Sequence, residues 1–318
     1  RDGHRLNLNL LGEAVLGHDE ADRRLARTIA LLRRPGVDHV SVKASSVVAQ
    51  LVPWDLEGSR DLLVDRLLPL YRAAREHGVF VNLDMEEYKD LHLTVALFTT
   101  LLARPEFHDL PAGIVLQAYL PDSVAALDEL GEFAARRAAA GGAPIKVRLV
   151  KGANLAMERV DAELHDWPQA PYATKAEVDA NYVRLLDHGI GGPHADGMRL
   201  GVASHHLHHV ALALELADAR GARPQLDLEM LQGMAPAFAD AVAGDLPESG
   251  PGSQLVLYTP VVHRGDFDTA VSYLVRRLEE NASPEGYLYT LFAPGSGGPA
   301  TYQERFLASV RDRDAVAD

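Results

Sequence analysis

At 318 residues with 47% hydrophobic content, the chain is long enough for two average domains or for one (β/α)8 barrel with insertions. Its 45 acids against 31 bases leave a formal charge of −14, which argues against nucleic acid, whose binding needs a basic footprint. The absence of cysteine excludes disulfides, thiolate catalysis and zinc–thiolate sites; no segment reads as a membrane span or a signal peptide. The expectation is a soluble, cytoplasmic protein with a local cationic site for an anionic ligand. Because the chain starts at Arg1 rather than methionine, it is also expected to be part of a longer polypeptide.

Residues 6–11 alternate Leu and Asn as a strand should, and Gly12-Glu13 closes it. A helix is predicted over 19–34, with Leu25, Ile29 and Leu32 on one face and Pro35-Gly36 as its stop. Residues 39–43 form the next strand, ending in Lys43. A helix over 59–77 follows, with Leu63, Leu67, Leu70 and Ala74 as its stripe and Gly78 as C-cap. Strand 79–83 runs into Asp84, with Glu86 and Glu87 just after. A helix through Leu93, Leu97 and Leu101 leads to strand 113–119, which carries Gln117, and to a helix with Val124, Leu127 and Leu130. Ile145, Val147, Leu149 and Val150 read as a short buried strand with two cations, Arg148 and Lys151, at its end and Gly152 following. A buried guanidinium is costly unless an anion or strong hydrogen bonds meet it.

Residues 155–188 hold helical turns interrupted by Pro168 and Pro171, then a clearer helix with Val178, Tyr182 and Leu185. Strand 199–205 ends in His205, and a helix runs through Leu207, Ala211 and Leu214. Strands 225–229 and 255–258 come next, separated by a Gly-, Pro- and Ser-rich loop over 244–253; a last helix covers 266–281. Eight strands alternating with helices, without hairpin signals, argue for parallel pairing with right-handed crossovers. A closed barrel over residues 1–293 accommodates them best, with 294–318 as a C-terminal tail or linker. The runner-up is a doubly wound α/β sheet, against which stands the absence of Gly-x-Gly-x-x-Gly after any strand.

In such a barrel the site forms at the strand C-termini, which gives Glu13, Lys43, Asp84, Gln117, Arg148 with Lys151, His205, Glu229 and Tyr258. Each alone reads more often as a rim residue; polar groups at every end are harder to dismiss. Arg148 and Lys151 suit a phosphate, a carboxylate or the electron-rich edge of a reduced cofactor, or else form rim ion pairs. Lys43 or Lys151 could instead form a Schiff base. The acids Asp84, Glu86 and Glu87 suit either a divalent metal or a solvated cluster. Among His205, His206, His208 and His209 the favoured reading is one functional histidine, His205, rather than a metal tract. The last helix places Phe267, Val271, Leu274 and Leu278 on one side and Tyr273, Arg276, Arg277 and Glu280 on the other. The polar side is either a solvated face with an Arg276–Glu280 pair or an arginine clamp for a substrate carboxylate.

Taken together, Val81-Asn82-Leu83-Asp84-Met85-Glu86-Glu87, Val147-Arg148-Leu149-Val150-Lys151-Gly152-Ala153, Leu228-Glu229-Met230-Leu231-Gln232-Gly233-Met234 and Tyr273-Leu274-Val275-Arg276-Arg277-Leu278 resemble proline dehydrogenase. The nearest likeness is to the proline dehydrogenase domain of the bacterial bifunctional proline-utilisation A flavoproteins. Ser41-Val42-Lys43 and Leu257-Tyr258-Thr259-Pro260-Val261 fit the same pattern in the same order.

The resemblance implies a distorted (β/α)8 barrel whose final helix lies over the C-terminal mouth. It implies non-covalent FAD, no metal, and oxidation of L-proline to Δ1-pyrroline-5-carboxylate by hydride transfer to flavin N5. By motif, Arg148 would lie near N5, Lys151 near the phosphate chain and Gln117 at the isoalloxazine edge, with Gly152, Thr174, Lys175, His205 and Glu229 completing the cofactor site. Lys43, Arg276 and Arg277 would bind the proline carboxylate and Asp84 would organise the polar network. Tyr258 and Leu231 would pack on the substrate ring, and Glu280 would pair with an arginine. Asn154 stands where many members carry a tyrosine that walls the pocket. Either another residue supplies that wall or the pocket admits a more polar ring such as hydroxyproline. Glu229 stands where some relatives have glutamine. The family further implies a quinone as electron acceptor, peripheral membrane contact of the full-length protein, and a fused aldehyde dehydrogenase domain.

Overall fold

Strands β1 (Arg5–Leu10), β2 (His39–Lys43), β3 (Phe80–Asp84), β4 (Ala112–Gln117), β5 (Ile145–Val150), β6 (Met198–Ala203), β7 (Leu226–Leu231) and β8 (Leu255–Val261) pair in sequence order. All pairs are parallel, and β8 returns to β1 to close the barrel. This computed structural model describes residues 4–12, 15, 17–52, 54–193, 195–246, 254–282 and 298–317. The expected (β/α)8 architecture is therefore present, and the doubly wound alternative is excluded by closure.

Strand alternation sorts the side chains into two populations. Val40, Val42, Val81, Leu83, Ile114, Leu116, Val147, Leu149, Leu200, Val202, Leu228 and Met230 join the apolar core between barrel and helices. The residues between them are polar and yet buried: Asn7, Asn9, Ser41, Asn82, Asp84, Lys146, Arg148, Asp227 and Glu229. A barrel interior is ordinarily filled by branched apolar side chains, so a charged one has to satisfy itself by pairing.

The helices are α1 (His18–Leu32), α2 (Leu56–His77), α3 (Leu91–Leu102), α4 (Ser123–Ala139), α5 (Leu155–His165), α6 (Lys175–Gly189), α7 (Leu207–Ala219), α8 (Pro236–Asp245), α9 (Phe267–Ala282) and α10 (Gly298–Asp312). Helix α2 starts on Asp55, which accepts the Gly58 N–H, and stops on Gly78 at φ 65°. Two helices depart from the sequence expectation. Helix α8 falls mostly between strand 225–229 and the loop over 244–253, where no element was read; proline opens it, and it buries just Ala239 and Val242. Helix α10 lies within the stretch expected as tail or linker. Its Tyr302 is buried and stacks on His206 with 4.1 Å between ring centroids.

Helix α9 also faces the other way from an ordinary surface helix. Its apolar residues Phe267, Val271, Leu274 and Leu278 are exposed (62% and 67% for the first and last), whereas Ala270 is buried and Tyr273 and Arg277 are half-buried. The side with Tyr273 and Arg277 is thus the covered one, which removes the solvated-face reading for those two residues.

Candidate active site

Arg148 is the centre of the barrel interior. Its position in β5 directs the side chain inward at the level of Asp84 on β3, Glu229 on β7 and Tyr258 on β8, and it is only 5% exposed. Arg148 Nη2 donates to Asp84 Oδ1 at 2.5 Å, and Nη1 lies 3.5 Å from Glu229 Oε2 and 3.4 Å from Ser41 Oγ. The guanidinium also sits 5.1 Å from the Tyr258 ring centroid. Burial works against its charge, but Asp84 and then Glu229 outweigh that and hold its pKa above the ordinary arginine value. Asp84 is shared further: Asn82 Nδ2 donates to Oδ1 at 3.0 Å and the Tyr258 hydroxyl to Oδ2 at 3.2 Å, while Asn9 Nδ2 donates to that hydroxyl. Burial, and next the Asp84 charge, keep the Tyr258 phenol protonated far above its usual range. Tyr273 of α9 contributes in the same direction.

Around this centre lie three smaller groups. Lys43 Nζ pairs with Glu86 Oε1 at 3.1 Å, and Ser45 donates to the same carboxylate. The backbone carbonyl of Glu86 accepts from Gln117 Nε2 and Asn154 Nδ2, each at 3.0 Å. Asp179 on α6 joins two lysines, Lys151 at 2.5 Å and Lys175 at 2.6 Å. Burial chiefly, offset by Asp179 and reinforced by Lys175, lowers Lys151 to about 8. Thr174 is the N-cap of α6, in a capping box with Glu177. His205 accepts the Leu231 N–H through Nε2 at 2.9 Å, so its proton is assigned to Nδ1, and burial lowers its pKa to about 4. The other histidines are packing residues: His206 stacks on His209 at 3.9 Å and His208 on Phe306 at 5.1 Å.

The sequence pattern of the family described as Proline dehydrogenase matches residues 1–289. The chain belongs to the proline dehydrogenase family. It is 25% identical over 301 residues to the Bifunctional protein PutA of Escherichia coli (strain K12), a match covering 90% of this chain and 22% of that protein. It is 32% identical over 193 residues to the Proline dehydrogenase of Deinococcus radiodurans, covering 58% of this chain and 53% of that one. Among solved structures, Proline Utilization A (PutA) from Corynebacterium freiburgense superposes with a TM-score of 0.88 at 58% identity, covering 99% of this chain and 30% of that chain. The chain therefore spans less than a third of the length of the bifunctional relatives it matches.

Proline dehydrogenases are flavoenzymes, and the polar atoms at this mouth fit a heteroaromatic, phosphate-bearing group. Gln117 Oε1, Arg148 Nε and His205 Nδ1 are buried yet have no hydrogen-bond partner among the described residues. Two lysines on one aspartate leave positive charge for a phosphate at the start of α6. Gly152 allows the backbone this turn: its φ is +114°, and a Cβ there would lie 2.3 Å from the Tyr119 ring. Gly152→Ala is expected to cost about 1–3 kcal/mol of stability, because both the backbone and the buried ring must shift. Equal denaturation midpoints for variant and parent would refute that account.

Several of the sequence-predicted residues have partners within the chain itself. Both carboxylate oxygens of Glu229 are occupied from inside the barrel, Oε1 by Lys146 at 2.6 Å and Oε2 by Arg148. Asn154 Nδ2 donates to the backbone carbonyl of Glu86, which ties the start of α5 to the loop after β3. Leu231 ends β7, half-buried beside His205. Glu13 lies outside the described residues, as do the side chains of Arg276 and Glu280. The sequence reading passed over Lys146, Asp227 and Asp179. The first two carried a signal, since Lys146/Arg148 and Asp227/Glu229 are two-residue steps that put like charges on one face of each strand.

Proposed function

We propose that this chain binds FAD at the C-terminal mouth of the barrel and oxidises L-proline there to Δ1-pyrroline-5-carboxylate, the first step of proline catabolism. The observation that carries the reading is Arg148, buried and held charged by Asp84 and Glu229, with the Tyr273–Arg277 face of α9 turned inward. A bound flavin would supply the acceptor for hydride from the ring carbon next to nitrogen. Arg148 supplies a fixed positive charge that favours electron-rich forms of the cofactor, and the Asp84 pair keeps it from reorienting. In this reading Lys151 and Lys175 would meet the cofactor's phosphates, and Gln117 and His205 its polar edges.

Arg277, with Lys43, receives the substrate carboxylate. Tyr258 and Leu231 wall the ring. The substrate nitrogen sheds a proton before hydride can leave, and a mouth covered by α9 favours the neutral amine. Asn154 Nδ2 donates to Glu86 O, which leaves the second N–H and Oδ1 of its amide for a ring hydroxyl, so hydroxyproline stands as the alternative substrate. No described helix is long and apolar enough to cross a membrane. A quinone acceptor and a cytoplasmic, membrane-peripheral setting complete the proposal, together with a fused aldehyde dehydrogenase domain, for which the length of the bifunctional relatives leaves room.

The test is direct. Purified protein should be yellow, L-proline added without oxygen should bleach the flavin band, and 4-hydroxyproline should do so more weakly. A colourless protein that takes up no FAD, or one in which borohydride traps a carbonyl substrate on Lys43 or Lys151, refutes the reading. A pH series adds a finer check. Lys151 is lowered to about 8, so it loses its proton as pH rises from 7 to 9. Bound phosphate favours the charged lysine, and FAD affinity, read by quenching of flavin fluorescence, should therefore fall over that interval. A flat profile would place the phosphates away from Lys151.

A further inference from the structure

Beneath Arg148 the interior charges form a second layer. Lys146 precedes Arg148 by two residues on β5, so both side chains enter the barrel. Lys146 Nζ lies 2.6 Å from Glu229 Oε1 and 3.7 Å from Asp227 Oδ2, and Arg199 Nη2 holds the other Asp227 oxygen at 2.5 Å. Three cations, Lys146, Arg148 and Arg199, thus face three anions, Asp84, Asp227 and Glu229. Glu229 is divided between two of the cations, close to Lys146 and at 3.5 Å from Arg148. Gly201 on β6 allows that placement, because a Cβ there would come within 2.5 Å of Glu229 Oε1.

We propose that Lys146 is a positioning residue: by drawing Glu229 toward the barrel floor, it sets how much of the Arg148 charge is left for the flavin. The proposal rests on the FAD reading above. With Lys146 made neutral, the carboxylate of Glu229 has one cation left within reach and turns to it. Arg148 is then paired on both sides, by Asp84 and by Glu229, and its field at the mouth is largely cancelled. Burial opposes the Glu229 charge, whereas Lys146 and then Arg148 more than offset this and hold its pKa below the ordinary range. The Glu229 carboxylate is therefore charged at neutral pH and responds to the loss of either cation. A role confined to stability would leave the electronics of a bound flavin untouched.

Sulfite separates these cases, since it adds to the oxidised flavin as an anion and is favoured by nearby positive charge; its binding is read by bleaching of the visible band. In FAD-loaded protein, Lys146→Met should weaken sulfite binding about tenfold or more and move the flavin midpoint potential to more negative values. Lys146→Arg should stay close to the parent. Glu229→Gln alone should strengthen sulfite binding, and it should restore the affinity lost in Lys146→Met when the two are combined. Glu229→Gln serves as the readout if Lys146→Met does not fold. Parental sulfite affinity in the variants, with only thermal stability altered, overturns the role of Lys146 while leaving the flavin reading intact. A parent protein that takes up no FAD overturns both.

Discussion

Arg148→Met is expected to destabilise the protein by about 3–5 kcal/mol, with an apparent melting temperature lower by on the order of 10 °C. The cost does not come from lost packing, because methionine fills much of the same volume. It comes from what stays behind: Asp84 and Glu229, both buried, lose the guanidinium that both of them face. Glu229 keeps Lys146, so the larger share falls on Asp84, which retains only Asn82 and Tyr258. A buried carboxylate without its cation gains from taking up a proton. In the variant such a group contributes stability at low pH that disappears as pH rises. The gap between variant and parent should accordingly be widest near pH 8 and narrow toward pH 5. Arg148→Met combined with Asp84→Asn should recover part of the loss, since the stranded charge is removed with its partner. Denaturant unfolding at the two pH values checks all three statements, and a variant as stable as the parent at pH 8 contradicts the buried-network account.

The barrel was legible in the sequence because its two periods are cleanly punctuated. Strands such as β3 and β5 alternate an apolar residue toward the helices with a polar one toward the axis, and Gly78 and Pro35 mark helix ends. Helix α8 was missed for a physical reason: it is short and nearly apolar all round, so it shows no amphipathic stripe. Helix α10 was hidden by the Gly- and Pro-rich run before it, although Tyr302 and Phe306 have the i, i+4 spacing that lets them stack on His206 and His208. Periodicity found the two faces of α9 but carries no information on which of them is covered. In the site, strand-end residues could be read off one at a time. The partners that hold them could not. Asp179 sits on a helix, the Glu86 carbonyl is backbone, and the Lys146–Glu229 contact joins residues 83 positions apart.

The inward turn of Tyr273 and Arg277 makes the arginine face of α9 the place where substrate affinity should be most sensitive. Arg277 is half-buried, with its guanidinium 5.4 Å from the Tyr273 ring centroid, and Tyr273 in turn adds to the upward pKa shift of Tyr258. A carboxylate received there is met by a planar fork of N–H donors, which methionine cannot replace and lysine replaces only in charge. Arg277→Met should weaken proline binding by about 2–4 kcal/mol, a Michaelis constant raised roughly 30- to 700-fold. Arg277→Lys should recover part of that. The signature lies in the comparison with prolinamide, which keeps the ring and nitrogen but has no anionic group. If the guanidinium meets the carboxylate, the two losses overlap, and Arg277→Met should change the handling of prolinamide by much less than that of proline. An unchanged Michaelis constant for proline would remove Arg277 from the site. An equal loss for both compounds would mean that it shapes the mouth of the barrel rather than binding the acid.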